Sequence, residues 1–157
     1  MSVDTPEEEK LVQQNQSSYW VNTISRDHVQ RGVEGGFTQS GHGKASGIKR
    51  LKVDDWIVFY SPKTSLRDGA PLQAFTAIGR VVDEDLYQVE QAPGFTPWRR
   101  NIEFVSSVEV PIKPLIEQLS FIQDKSRWGY MFRFGLFKIP RADFAVIAKE
   151  MAVTLPE

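Results

Sequence analysis

The sequence predicts a small α+β domain built on a curled sheet or barrel. Three observations carry that expectation. About six short segments are rich in β-branched and aromatic residues and are bounded by turn signals. A few short stretches carry helix-start signals, the clearest at Ser25 and Pro140. No segment repeats another, as a single domain without internal repeats requires.

Tyr19-Trp20-Val21-Asn22-Thr23-Ile24 reads as the first strand. Its alternation puts Trp20, Asn22 and Ile24 on one face and Tyr19, Val21 and Thr23 on the other. Ser25 then caps a short helix through about Val29, ended by Gly32. Residues 34–47 hold five glycines in fourteen positions and form a long loop. Trp56-Ile57-Val58-Phe59-Tyr60 is a continuous apolar run, hence a buried strand. A loop from Pro62 to Pro71 contains the turn signal Asp68-Gly69.

Gln73 to Val82 reads as the next strand, with Tyr87-Gln88-Val89-Glu90 as its partner. Pro93-Gly94 turns the chain into a strand region from about Trp98 to Val110. Pro114 to Leu119 is a helical turn opened by proline. Met131 to Phe137 reads as a further strand, with Gly135 marking a bulge or bend. Pro140 opens a last helix whose apolar face is Phe144, Ile147, Ala148 and Met151.

The chain has 157 residues, 41% hydrophobic and 25% charged, which fits one globular domain that needs no covalent staple. Cysteine is absent, which excludes a thiol nucleophile, a disulfide scaffold and thiolate zinc sites. With only His28 and His42 as imidazoles, a multi-histidine metal centre is not expected. No apolar leader and no run long enough to span a bilayer is present, so the expected compartment is cytoplasmic, or nuclear in a eukaryote.

Formal net charge is −1, which excludes a strongly basic nucleic-acid binder of the histone kind. That figure hides an asymmetry. Residues 1–18 hold Asp4, Glu7, Glu8 and Glu9 against Lys10 and few apolar side chains, so a flexible acidic tail is expected there. The remaining 19–157, expected to be one domain, carry 18 basic and 16 acidic residues, a net of +2. Basic residues cluster from Arg26 to Lys52, from Lys125 to Arg141 and at Arg99-Arg100. Such patches can hold a phosphate backbone, although a solvated mixed-charge surface is the commoner explanation of such clusters.

Several enzyme readings fail on spacing. The run from Gly36 to Lys44 has Thr38 where a P-loop needs its first glycine, and Ala45 where it needs a hydroxyl. No G-x-S-x-G elbow exists, and neither histidine has a nucleophile paired with it. Asp54-Asp55 and Asp83-Glu84-Asp85 flank strands and read as solvated turn residues, with no calcium-loop spacing. Aromatic residues beside polar or basic neighbours suit either a core or a pocket that stacks an exposed base.

Several segments together resemble one family. They are Tyr19-Trp20-Val21, Ser25-Arg26-Asp27-His28-Val29, Gly35-Gly36-Phe37-Thr38-Gln39 and His42-Gly43-Lys44, then Trp56, Tyr60-Ser61-Pro62-Lys63 and Phe75-Thr76-Ala77-Ile78-Gly79. Pro71-Leu72-Gln73, Tyr87-Gln88-Val89, Phe95, Arg99-Arg100, Pro114-Leu115, Leu119-Ser120-Phe121-Ile122, Trp128 to Arg133 and Asp143-Phe144 continue the match over residues 19–152. The chain resembles the EVE domain proteins of the PUA-like superfamily, related to the YTH readers of methylated adenine. Asp54-Asp55-Trp56 stands where that family usually shows Gly-Asp-Trp, a departure confined to a turn.

The resemblance implies a PUA-like β-pseudobarrel of about six strands with short flanking helices. It also implies a non-catalytic module, with no metal and no cofactor, that recognises nucleic acid, DNA or RNA, through a modified base such as a 5-substituted cytosine. Trp20, Phe37 and Trp128 are then the stacking candidates, with Phe75 and Phe132 behind them. Asn22, Ser25 and Ser61 would bond the base edge, and Arg26, Lys44, Arg99, Arg100 and Arg127 the backbone. A small nucleotide- or nucleic-acid-modifying enzyme, its accessory subunit, and a peptide-binding module are the alternatives. A pocket shared by Trp20, Asn22 and Trp128 is the structural expectation.

Overall fold

The computed structural model describes residues 17–39 and 45–156. The acidic tail expected over 1–18 lies, apart from Ser17 and Ser18, outside these residues, as do His42 and Lys44. Seven strands form one mixed sheet: β1 (Tyr19–Thr23), β2 (Phe37–Gln39), β3 (Trp56–Lys63), β4 (Pro71–Gln88), β5 (Trp98–Phe104), β6 (Val110–Pro111) and β7 (Leu136–Ile139). Their order is β2-β5-β4-β3-β1-β7, with β6 beside β4. β1 and β3 run parallel, and the other pairs are antiparallel. Helix α1 (Arg26–Gly35) joins β1 to β2, and α2 (Arg141–Glu150) follows β7. The architecture is the α+β class expected.

The apolar run in β3 is covered on both faces, as a strand without alternation requires. Trp56, Val58 and Tyr60 join a core with Phe75, Ile112, Leu119 and Phe144. Ile57 and Phe59 point the other way, into a second core with Trp20, Val29, Ile48 and Ile102. Helix α2 lays Phe144, Ile147, Ala148 and Met151 on the first core, the face its spacing predicted. Asp143 fixes its start, accepting from the Ser120 and Phe121 amides at 3.0 and 2.8 Å.

Curling of the sheet creates the site. β4 pairs with β3 along its first half and with β5 along its second, and its register with β5 shifts between Val81 and Leu86. At Gly79 a Cβ would come within 2.8 Å of the Glu103 carbonyl oxygen, so only glycine lets β5 approach here. α1 then carries β2 back towards β1, and the Asn22 amide donates to Thr38 Oγ1 across the remaining gap at 3.2 Å.

Three local expectations are corrected. The helix after Ser25 runs on to Gly35 and ends at Gly36, whose φ of 73° is the left-handed cap. Gly32 stays helical and serves packing, because a Cβ there would collide with the Phe37 carbonyl. Tyr87 and Gln88 belong to β4 itself beyond its bulge, and β5 is their partner. The segment read as a strand over Met131 to Phe137 is a 3₁₀ turn, Tyr130–Phe134, followed by β7. Gly135, at φ 74°, separates the two in a conformation that side chains disfavour.

Candidate functional site

A cavity of about 800 Å³ opens where the curled sheet fails to close between β1, β2 and the turn before β7. That volume lies within the range of about 300–1,000 Å³ usual for small-molecule sites. Its walls combine aromatic rings (Phe37, Phe59, Phe104, Phe132) with polar groups on Asn22, Thr38, Gln39 and Ser46. Among the described lining residues are three cations, Arg50, Lys63 and Arg133, and the imidazole of His28, with no carboxylate.

Each wall has a local cause. Asn22 is 5% exposed and is held by Thr38, so one amide hydrogen is committed and the rest of the group is presented by a rigid strand. Phe37 is the first residue of β2, and the Arg99 guanidinium lies 3.8 Å from its ring centroid. Gln39 Oε1 accepts from Arg99 Nε at 3.3 Å and steadies that stack. A Cβ on Gly35 would come within 2.5 Å of the same ring, so Phe37 is fitted against a glycine. Phe132 stacks on Tyr60 with centroids 4.1 Å apart. Burial pushes the Tyr60 phenol above its ordinary value, so it stays neutral.

Ser25 lines the cavity with its hydroxyl already committed, donating to Asp27 Oδ1 at 2.6 Å. Burial tends to raise the Asp27 carboxyl, but the hydrogen bonds from Ser25 and the His28 amide win and hold it below its ordinary value. Arg50 crosses from the 3₁₀ turn Ile48–Arg50 and donates to the Leu136 carbonyl at 2.7 Å, tying that turn to β7.

Of the residues singled out in the sequence, Asn22, Ser25, Phe37 and Phe132 meet at this cavity, and Arg99 backs Phe37. The expected convergence of Trp20, Asn22 and Trp128 does not occur. Trp20 is 1% exposed, its Nε1 donates to Asp55 Oδ2 at 2.9 Å, and Arg50 and Lys138 lie 5.2 Å from its ring. No face of that indole is free for a base. Phe75 is fully buried against Tyr60 in the first core. Ser61 is also fully buried, donating to the Ile24 carbonyl and paired with Thr76. Trp128 packs edge-on against Tyr60 and Phe132, behind the cavity wall.

The cationic assignments divide similarly. Arg100 is buried and donates to the carbonyls of Ile48, Leu51 and Asp83, so it is an internal clamp rather than a phosphate contact. Burial lowers its guanidinium from the ordinary value, against the opposing charge of Asp83. Arg26 pairs with Glu109 at 2.8 Å on the surface, away from the cavity lining. Arg127 sits on the exposed 3₁₀ turn Lys125–Arg127, also outside the lining.

Arg50, Lys63, Arg133 and the apolar side chains Leu66, Phe95 and Phe134 line the cavity without having been assigned to the site. Arg50 and Arg133 belonged to recognised basic clusters, but only the curl of the sheet brings those clusters to one opening. Asp55, read as a solvated turn residue, is buried and accepts from the Ser18 amide, the Lys52 amide and Trp20. Among the described residues no helix is long and apolar enough to cross a membrane, and no three potential metal ligands gather.

An X-ray structure of an Agrobacterium tumefaciens protein matches this fold with a TM-score of 0.55 at 13% identity, over 89% of this chain and 97% of that one. An NMR structure of a Rhodopseudomonas palustris protein gives 0.54 at 13% identity, over 86% and 93%. At the level of sequence, a UPF0310 protein of Mycolicibacterium gilvum is 61% identical over 136 residues, 87% of this chain and 96% of that protein. A Bacillus subtilis UPF0310 protein is 36% identical over 139 residues, 88% and 95% of the two chains. The EVE domain model matches residues 18–150, so this chain belongs to the EVE domain family.

Proposed function

We propose that the protein is a non-catalytic nucleic-acid reader that accepts one modified base, such as a 5-substituted cytosine, in the cavity between β1, β2 and β7. The observation that carries this reading is the composition of that cavity. Aromatic rings, a fixed amide and three cations line it with no carboxylate among the described residues. Phe37, half-buried in the lining with Arg99 over its ring, is the stacking partner for the base, and stacking of this kind is worth roughly 1–3 kcal/mol. Asn22 reads the base edge, because an amide supplies both a donor and an acceptor. Arg50, Lys63 and Arg133 hold flanking phosphates, which position the strand without reading it.

The test compares binding of methylated, hydroxymethylated and unmodified cytosine oligonucleotides at fixed salt. A preference for one modification, lost in Phe37→Ala, supports the reading. Equal affinities, unchanged in Phe37→Ala, overturn it.

A further inference from the structure

The cavity mouth has a property that base recognition alone does not require. Leu66 is 73% exposed and Phe134 is 59% exposed, the two most exposed large apolar side chains among the described residues. Both line the cavity, so both stand where it meets solvent. Leu66 projects from the connection between β3 and β4, and Phe134 from the end of the turn before β7. The position of Phe134 is held by its neighbours. Phe134 is braced edge-on by Tyr130 at 5.6 Å, and Gly135 turns the chain sharply behind it. Apolar side chains gathered at the mouth of a cavity and rimmed by polar groups mark an interaction surface.

The cations beside them say what covers them. Lys63 lies three residues before Leu66, and Arg133 directly precedes Phe134, and both line the same cavity. A polyanion with an apolar interior satisfies both kinds of group. Stacked bases inside a phosphate-lined duplex have that character. An aliphatic residue such as Leu66 has no π face for stacking on single-strand bases, but it fits the space that one base leaves in a duplex.

We infer that Leu66 and Phe134 form an apolar wedge that enters a nucleic-acid duplex at the gap opened when a base swings into the cavity. The inference rests on the base-reading proposal and adds to it the substrate class, double-stranded rather than single-stranded nucleic acid. Unstacking and unpairing a base is unfavourable, and side chains that fill the gap offset part of that cost.

The experiment uses the full chain and oligonucleotides carrying one 5-methylcytosine, presented in a duplex, in a single strand, and in a duplex opposite an abasic site. The variants are Leu66→Ala with Phe134→Ala, and separately Phe37→Ala. The wedge variant is expected to lose about tenfold or more in duplex affinity while single-strand affinity changes by less than about twofold. The abasic duplex, already open, is expected to lose less than the intact one. A 2-aminopurine beside the methylated base should brighten on binding the wild type, and less with the wedge variant.

Unchanged duplex affinity in the wedge variant, with Phe37→Ala still impaired, overturns the wedge and leaves the base reader standing. Equal losses on single strand and duplex overturn it too, and make the pair a stacking platform. Failure of the wild type to bind any of the three removes both proposals.

Discussion

Asn22 on the first strand and Thr38 on the second are joined by a side-chain hydrogen bond of 3.2 Å that spans the open seam of the curled sheet. Both side chains are buried and both line the cavity. Removing the Thr38 hydroxyl leaves the amide donor without its partner at a buried position, at a cost of about 1–3 kcal/mol. Thr38→Val should therefore destabilise the fold by that amount in urea denaturation. Adding Asn22→Leu should recover part of the loss, since the apolar pair leaves nothing unsatisfied. Additive losses in that double-mutant cycle would show that the two groups do not interact.

Asp55 gives a second, larger expectation. Its carboxylate collects the Ser18 amide, the Lys52 amide and the Trp20 indole, all within 3.0 Å. Asp55→Ala orphans these donors and is expected to cost about 2–4 kcal/mol. Trp20 fluorescence should shift with the variant, because the indole loses its only acceptor among the described residues. A denaturation midpoint equal to the wild type would refute the hub.

Ligand binding separates the two aromatic assignments. Phe37→Ala is expected to weaken oligonucleotide binding by about tenfold, the scale of one lost stacking partner. Trp128→Ala should leave affinity within about twofold, because its ring lies behind Phe132 rather than in the cavity. Lys63→Ala and Arg133→Ala should each reduce the slope of log affinity against log salt by about one unit. A reversed ranking of the two aromatic variants would restore the tryptophan as the platform.

Tyr60 predicts the behaviour in alkali. Burial raises its folded-state value above the ordinary 10.0, so the unfolded chain loses this proton first as pH increases. The stability contributed by the neutral phenol is complete below about pH 10 and declines as pH rises above it. Tyr60→Phe should flatten that decline in denaturation midpoints between about pH 9 and 11. Identical pH profiles would assign the alkaline loss to other groups.

What the sequence disclosed was local pattern. The faces of β1 follow from alternation, with Trp20 and Asn22 together and Val21 opposite. The apolar stripe of α2 and the unbroken run of β3 are equally explicit. What alternation cannot tell is how far along a face the core ends. Trp20 and Asn22 share a face, yet only Asn22 reaches the cavity, while Trp20 is buried against Asp55, Arg50 and Lys138.

The same limit explains the arginine pair. Neighbours on a strand point to opposite faces, so one of Arg99 and Arg100 must turn inward. Arg100 does, onto three backbone carbonyls, and Arg99 lies on Phe37. Leu66 and Phe134 carried no site signal, since one falls in an expected loop and the other in a segment read as a strand, and Phe95 marked only the family resemblance. Their meaning comes from meeting at one opening.

The position of β1 in the sheet bears on how the chain is made. It lies between β3 and β7, with Tyr19 opposite both Trp56 and Ile139. During synthesis, this strand emerges long before the partner that covers its outer edge. Folding dominated by such distant pairings is slow, and an uncovered edge invites pairing between nascent chains. A nascent chain that has released β3 but not yet β7 would therefore display Tyr19–Thr23 with one edge unpaired.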